Sequence, residues 1–198
     1  MKKVIVRLGN GLGNQLFIYA AAYAFAKKNN AKLFVDDESG FYKRYKYELH
    51  NFKITAPIAY KNDKFIGEWG KIKRKILIKL SKYSSQIKFI IEEKDQNKLT
   101  NYNEKQLNIN FKKKLYFEGY YQSEKYFKEN LKDIIKEFSF NENIINQDSL
   151  HKDEILNSNS VSIHLRQDKF LPDENHKNIN KLNLDFLNNS ILSIKKGV

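Results

Sequence analysis

One stretch near the start, residues 2–37, constrains the fold more than any other: KKVIVRLGNGLGNQLFIYAAAYAFAKKNNAKLFVDD. Residues 2–8, KKVIVRL, read as a buried strand around the apolar run Val4, Ile5 and Val6. Residues 12–28 carry apolar side chains almost all round, at Leu16, Phe17, Tyr19, Ala20, Tyr23 and Ala24, and a helix of that kind belongs in an interior. Residues 31–37 read as a second strand. Strand, helix and strand within 36 residues form a βαβ unit. Such a unit implies a parallel sheet with a right-handed crossover, hence an α/β fold.

The turn between the first strand and the helix places Gly9, Gly11 and Gly13 at alternate positions. A dinucleotide fingerprint needs G-x-G-x-x-G, and Asn14 stands where its last glycine belongs. Two readings stay open at this point. The glycines form a phosphate cradle, with Asp36 and Asp37 following the second strand, or they simply allow a tight turn and close helix packing. In either case Asn14 and Gln15 put amide donors and acceptors on the first helical turn, where the backbone N–H groups favour an anion.

Residues 38–115 carry weaker signals. The run GFYKRYKYELHNF, residues 40–52, mixes aromatic and basic residues. It fits either a stacking surface for RNA or a half-buried, substrate-facing loop, and the second is preferred because no RNA-binding signature accompanies it. KIKRKILIKLSKY, residues 71–83, is basic and amphipathic. It suits an anionic membrane surface or the solvated face of a packed helix. Residues 114–138 read as a strand, a turn at Gly119, and an amphipathic helix starting near Ser123. Residues 160–170 open as a strand whose period of two sends Val161, Ile163 and Leu165 to one face and Ser162, His164 and Arg166 to the other. Residues 181–196 carry a helical stripe at Leu184, Leu187, Ile191 and Ile194.

The net charge of +13 points to anionic partners or to a diffuse lysine bias. A dedicated nucleic-acid module is not expected without a recognition signature. The absence of cysteine removes disulfides and thiolate metal sites and suits a reducing cytoplasm. Four histidines without ligand spacing give no metal site. No uncharged apolar run reaches the length of a membrane span.

His164 and Arg166 share one face at a strand's exit, where open α/β sheets bind ligands. An arginine there grips a diphosphate bidentately, although a salt-bridged arginine beside a packed histidine fits the same pattern.

Three segments occur in order: GNGLGNQLFIYAAAYAFA, GYYQSEKYF and VSIHLR. Together they resemble the bacterial alpha-1,2-fucosyltransferases of glycosyltransferase family 11. The first is similar to that family's G-x-G-N-Q-[LM]-F opening, the second to its G-[YF]-[FY]-Q-S segment, and the third to the start of its H-x-R-R-x-D-[YF] motif. After Arg166 this chain has Gln167, Asp168, Lys169 and Phe170, so Asp168 stands one place ahead of the family's acid.

The resemblance implies a GT-B-type, inverting enzyme with a parallel-sheet, Rossmann-like N-terminal domain. It divides the chain into an acceptor-side domain over 1–170 and a linker plus the start of a truncated C-terminal domain over 171–198. Fucose would pass from GDP-fucose to the 2-hydroxyl of a terminal galactose in lipopolysaccharide or other surface glycan, with no metal and no cofactor. The alternative is a truncated, non-catalytic remnant that binds glycan only. By the same resemblance Arg166 and Asn14 are catalytic, while His164, Gly13, Gln15 and Asp168 contact substrate. Asp36, Asp37 and Asp168 are the candidates for the base that inverting transfer requires. The implied location is cytoplasmic, with peripheral association at the inner membrane. The expected geometry is a single cleft on which the Asn14 amide and the Arg166 guanidinium converge.

Overall fold

A computed structural model describes residues 1–42, 45–92, 102–145 and 151–161. The chain forms two compact units, Met1–Asp148 and Ser149–Val198. The second contains, among its described residues, one short helix at Lys152–Leu156. The expected domain boundary at 170/171 falls outside the described residues.

The first unit is a three-layer α/β sandwich, as the opening βαβ pattern predicts. Strands β1 (Lys3–Arg7), β2 (Lys32–Asp36), β3 (Ile87–Ile91) and β4 (Lys114–Glu118) form one sheet in the order β2-β1-β4-β3. All three pairings are parallel, with Val4 opposite Leu33 and Leu115 in the register. Helix α1 (Leu12–Lys28) lies on one face and α2 (Gly67–Ser81) on the other. Two short helices, α3 (Leu131–Glu137) and α4 (Glu142–Ile145), close the unit.

The strand period of two explains the two cores. Val4, Val6, Leu33, Val35, Leu115 and Phe117 turn toward α1 and pack on Ile18, Tyr19, Ala22 and Phe25. Ile5, Phe34 and Tyr116 turn the other way, onto Phe65 and Leu77 beneath α2. The alanines of α1 bring its backbone close to the sheet. In α2, Gly70 lets the helix fold tightly against its own entry segment, because a Cβ there would clash with the Phe65 backbone. The open edge of β2 is covered by residues 57–59, through Val35 N–H to the Pro57 carbonyl at 2.9 Å and Ala59 N–H to the Val35 carbonyl at 2.8 Å.

The helix expected near Ser123 begins only at Leu131. Two 3-10 turns, Glu124–Tyr126 and Lys128–Asn130, occupy the interval, and the Ser123 hydroxyl caps the first. The cause lies upstream. Tyr121 is fully buried with φ at 50°, which fixes the chain's exit from β4 before a helix can begin.

Candidate functional site

The candidate site lies at the carboxyl edge of the sheet, where three connections meet. The β1–α1 turn contributes Gly9 to Asn14, the β2–α2 connection contributes residues 38–42 and 45–48, and the turn after β4 contributes residues 119–122.

The glycines of the first turn do different things. A Cβ on Gly9 would stand 2.6 Å from the Gly40 carbonyl oxygen, and one on Gly40 would run into the Leu8 carbonyl. Two loop backbones therefore touch, and only glycine at both places allows it. Asn10 takes the left-handed conformation at φ 64°. Gly11 precedes the helix without a side-chain cap, and the first turn of α1 carries no acid. Gly13 is exposed, with open space where a Cβ would project. The N-terminus of α1 is thus accessible and keeps its positive dipole end uncompensated by a carboxylate.

Asn14 and Gln15 part company. The Asn14 Oδ1 accepts a hydrogen bond from Gln122 Nε2 at 2.7 Å. Two segments 108 residues apart, the first and second of the quoted motifs, are thereby joined at the mouth of the glycine turn. Gln15 faces inward and is 0% exposed. Its Nε2 donates to the Asn10 and Lys46 carbonyls, both at 2.9 Å, and its Oε1 accepts from Glu48 N–H at 3.0 Å. Its amide is wholly engaged inside the protein. Gln15, expected to contact substrate, here clamps the 46–48 loop against the turn.

The aspartates after β2 are likewise committed. Asp36 is buried and accepts from the N–H groups of Glu38 at 3.2 Å and Ser39 at 2.9 Å, and from the Ser39 hydroxyl. Asp37 is paired with Lys64 at 2.5 Å. Both organise the loop, and neither stands as an unengaged base.

A charged latch that the sequence reading missed occupies the α2 side of the same edge. Arg7 ends β1 and donates through Nε to the Ser39 hydroxyl at 3.2 Å and through Nη2 to the Ser39 carbonyl at 2.5 Å. Its Nη1 reaches Glu118 Oε2 at 3.5 Å. Arg74 of α2 approaches the same carboxylate, with Nη2 at 2.5 Å from Oε2 and Nε at 2.9 Å from Oε1. Glu118 is nearly buried and held by the two guanidiniums, while the buried Asp36 carboxylate, bonded to the same Ser39, adds a second negative charge to the network. Strand periodicity predicts that Arg7 and Glu118 share a face. Nothing in the sequence signals that Arg74 joins them.

The turn after β4 is fastened by Glu92, whose Oε2 accepts from the N–H groups of Tyr120 at 2.5 Å and Tyr121 at 2.8 Å. Burial, with Glu92 as the largest charge nearby, pushes the Tyr121 phenol upward. Tyr47, beside the Gln15 clamp, is pushed up to about 12 by burial and then by Asp37.

His164, Arg166 and Asp168 lie outside the described residues, so the expected convergence on Asn14 has no described geometry. Among the described residues no group of three His, Cys, Asp or Glu is placed to hold a metal ion. No helix there is long and apolar enough to cross a membrane. A hollow of about 440 Å³, lined by Tyr23, Lys27, Leu33 and Pro57, lies at the amino edge of the sheet, away from this site.

No protein-family profile matches the chain, and no solved structure matches it. It is similar to an alpha-1,2-colitosyltransferase from Escherichia coli, with 29% identity over 181 residues. That alignment covers 86% of this chain and 56% of the relative, so the chain spans little more than half the relative's length.

Proposed function

We propose that the chain takes part in alpha-1,2 glycosyl transfer, as the acceptor-side, Rossmann-like domain of an inverting, GT-B-type glycosyltransferase. The observation that carries the reading is the Asn14–Gln122 bond at an uncapped helix terminus. It joins two motifs at the sheet's carboxyl edge, where α/β proteins bind ligands. The relative's name supports the same linkage from an independent direction.

The donor is a nucleotide-activated sugar, proposed as GDP-fucose, and the acceptor a terminal galactose of a surface glycan. A colitosyl donor is the competing choice, given the relative's printed activity. Breaking the sugar–diphosphate bond leaves negative charge on the nucleotide. In this reading Arg166 neutralises it, and His164 and Asp168 line the nucleotide's site. Asn14 keeps two Nδ2 donors, with no partner among the described residues, to offer to the sugar or its phosphates. The exposed Gly13 lets a ligand approach the α1 terminus. One preorganised donor of this kind contributes about 3 kcal/mol to the transition state. Lipid-linked glycan acceptors place such an enzyme at the inner membrane surface, and peripheral association there is part of the proposal.

The test is transfer from labelled GDP-fucose to a soluble beta-galactoside by the full chain, with Asn14→Ala and Arg166→Ala as variants. Each is expected to lower kcat about 100-fold with unchanged circular dichroism. Turnover that survives Asn14→Ala would remove this edge of the sheet from the reaction. Absent turnover, together with acceptor binding that survives both substitutions, would favour a glycan-binding role instead.

A further inference from the structure

Helix α2 packs on the sheet through Leu77, yet its opposite face is strongly apolar. Trp69 is 84% exposed, Tyr83 is 92% exposed, and Ile72, Ile76 and Leu80 are each about half exposed. At 100° per residue Trp69, Ile72, Ile76 and Leu80 fall within an arc of about 80°, forming one straight stripe, and Tyr83 sits in the turn just past the helix end. The stripe is about 17 Å long, with Trp69 near its start and Tyr83 just beyond its end. Lys71, Lys75, Lys79 and Lys82 run along one border and Lys73 along the other. Residues 67–83 hold six basic side chains (these five and Arg74) and one acid, Glu68. Glu68 is paired with Lys71 at 2.6 Å, and Lys73 donates to the Asn62 carbonyl at 2.7 Å. Lys75, Lys79 and Lys82 are exposed.

We infer that this face is the protein's lipid-docking element: α2 lies flat on an anionic bilayer, with the stripe sunk to the headgroup–acyl boundary and the lysines among the phosphates. The inference rests on the proposed peripheral association and assigns it to particular side chains.

Three features select this occupant. An apolar stripe bordered by cations, with low net hydrophobicity, is the arrangement that partitions into anionic interfaces. Trp and Tyr at the stripe's ends match the depth such rings prefer. A second copy of the chain docking face to face would bring lysine borders against lysine borders, whereas an anionic surface complements them. Arg74 of the same helix is bonded to Glu118 at the carboxyl edge, so docking α2 also fixes the glycine-turn edge relative to the membrane surface.

Trp69 is the only tryptophan in the chain, so its emission reports on this face alone. The full chain is titrated with vesicles of phosphatidylcholine alone and with phosphatidylglycerol added. With the anionic vesicles the emission should shift to the blue and become quenchable by lipids brominated along the acyl chain. Replacing Lys75, Lys79 and Lys82 with Gln should weaken partitioning by about 100-fold, at roughly 5-fold per lysine. A variant with Ile72, Ile76 and Leu80 changed to Ser should abolish the shift with circular dichroism unchanged.

Vesicle binding that survives both variants overturns the assignment to α2 while leaving peripheral association standing. No binding to anionic vesicles overturns both. A blue shift that grows with protein concentration in the absence of lipid would identify a second copy as the occupant and overturn the inference. Transfer to a soluble acceptor, measured in parallel, is expected to be unaffected by either variant, so failure of the transfer reading is recorded separately.

Discussion

Gln15 carries both a strong polar group and complete burial, a combination that persists only when every hydrogen-bonding site is satisfied. Replacing it with alanine strands the Asn10 and Lys46 carbonyls and the Glu48 N–H together. The expected loss is about 3 kcal/mol, read as a fall in Tm of roughly 6–12 °C. Gln15→Glu is the sharper probe. A carboxylate still accepts from Glu48 N–H but opposes two carbonyl oxygens in a buried place. Its folded-state pKa is therefore raised, and its stability is greatest below the ordinary glutamate range near pH 4.3 and declines as pH rises. Chemical denaturation at acid and neutral pH distinguishes this from a purely steric defect, which shows no such slope. Asn14, one position earlier, differs only in which way its amide points. The sequence offered Asn14 as catalytic and Gln15 as a substrate contact, and an adjacent pair of amides carries no sign of which faces inward.

At the scale of elements, β1, α1 and β2 were legible because three apolar runs with different periods sit next to each other around a glycine turn. Helix α2 was legible only as a basic amphipathic stretch over residues 71–83 and strand β3 not at all, since basic residues interrupt their apolar positions and the core they cover is shared with Phe65, just ahead of α2, and with Tyr116, far away in sequence. The glycine turn was read correctly as a turn, but its division of labour needed the second loop. Gly40 gave no signal of its own, and its contact with Leu8 is purely tertiary. The two glycines can be separated experimentally. Gly40→Ala forces the loops apart and should cost at least about 2 kcal/mol in denaturant titrations. Gly13→Ala, in a helical position with open space, should raise stability by about 0.5–1 kcal/mol. A Gly13→Ala protein that gained stability yet lost donor affinity would mark the helix terminus as a ligand site. Equal destabilisation by both substitutions would contradict the packing described here.

For the molecule as a whole, alkaline pH is the condition that sets its largest electrostatic terms against each other. With a net charge of +13, deprotonating lysines relieves repulsion and favours the compact state. Against this stand the buried phenols. Tyr19 is raised by burial and by its hydrogen bond to Glu137, Tyr116 by burial and by Asp63, and Tyr121 by burial and by Glu92. Tyr47 is raised to about 12. A phenol whose folded pKa exceeds its unfolded value of 10.0 contributes stability that is fully present below pH 10. That contribution is lost as pH climbs through the folded value. The relief of surface repulsion is spread over exposed, screened charges, whereas each buried phenolate must form in the core. The phenols should therefore prevail. The Tyr19 hydroxyl joins Glu137 at 2.7 Å, and Glu137 also accepts from Thr55 N–H at 2.8 Å, so its ionisation strains the contacts among α1, the 55 loop and α3 together. Phenolate absorbance and circular dichroism are then expected to change in one cooperative step well above pH 10. Tyr19→Phe should leave Glu137 with fewer donors and move that step to lower pH by removing stability from the folded state. Phenols titrating gradually near pH 10 with secondary structure intact would show that these side chains are not enclosed as described.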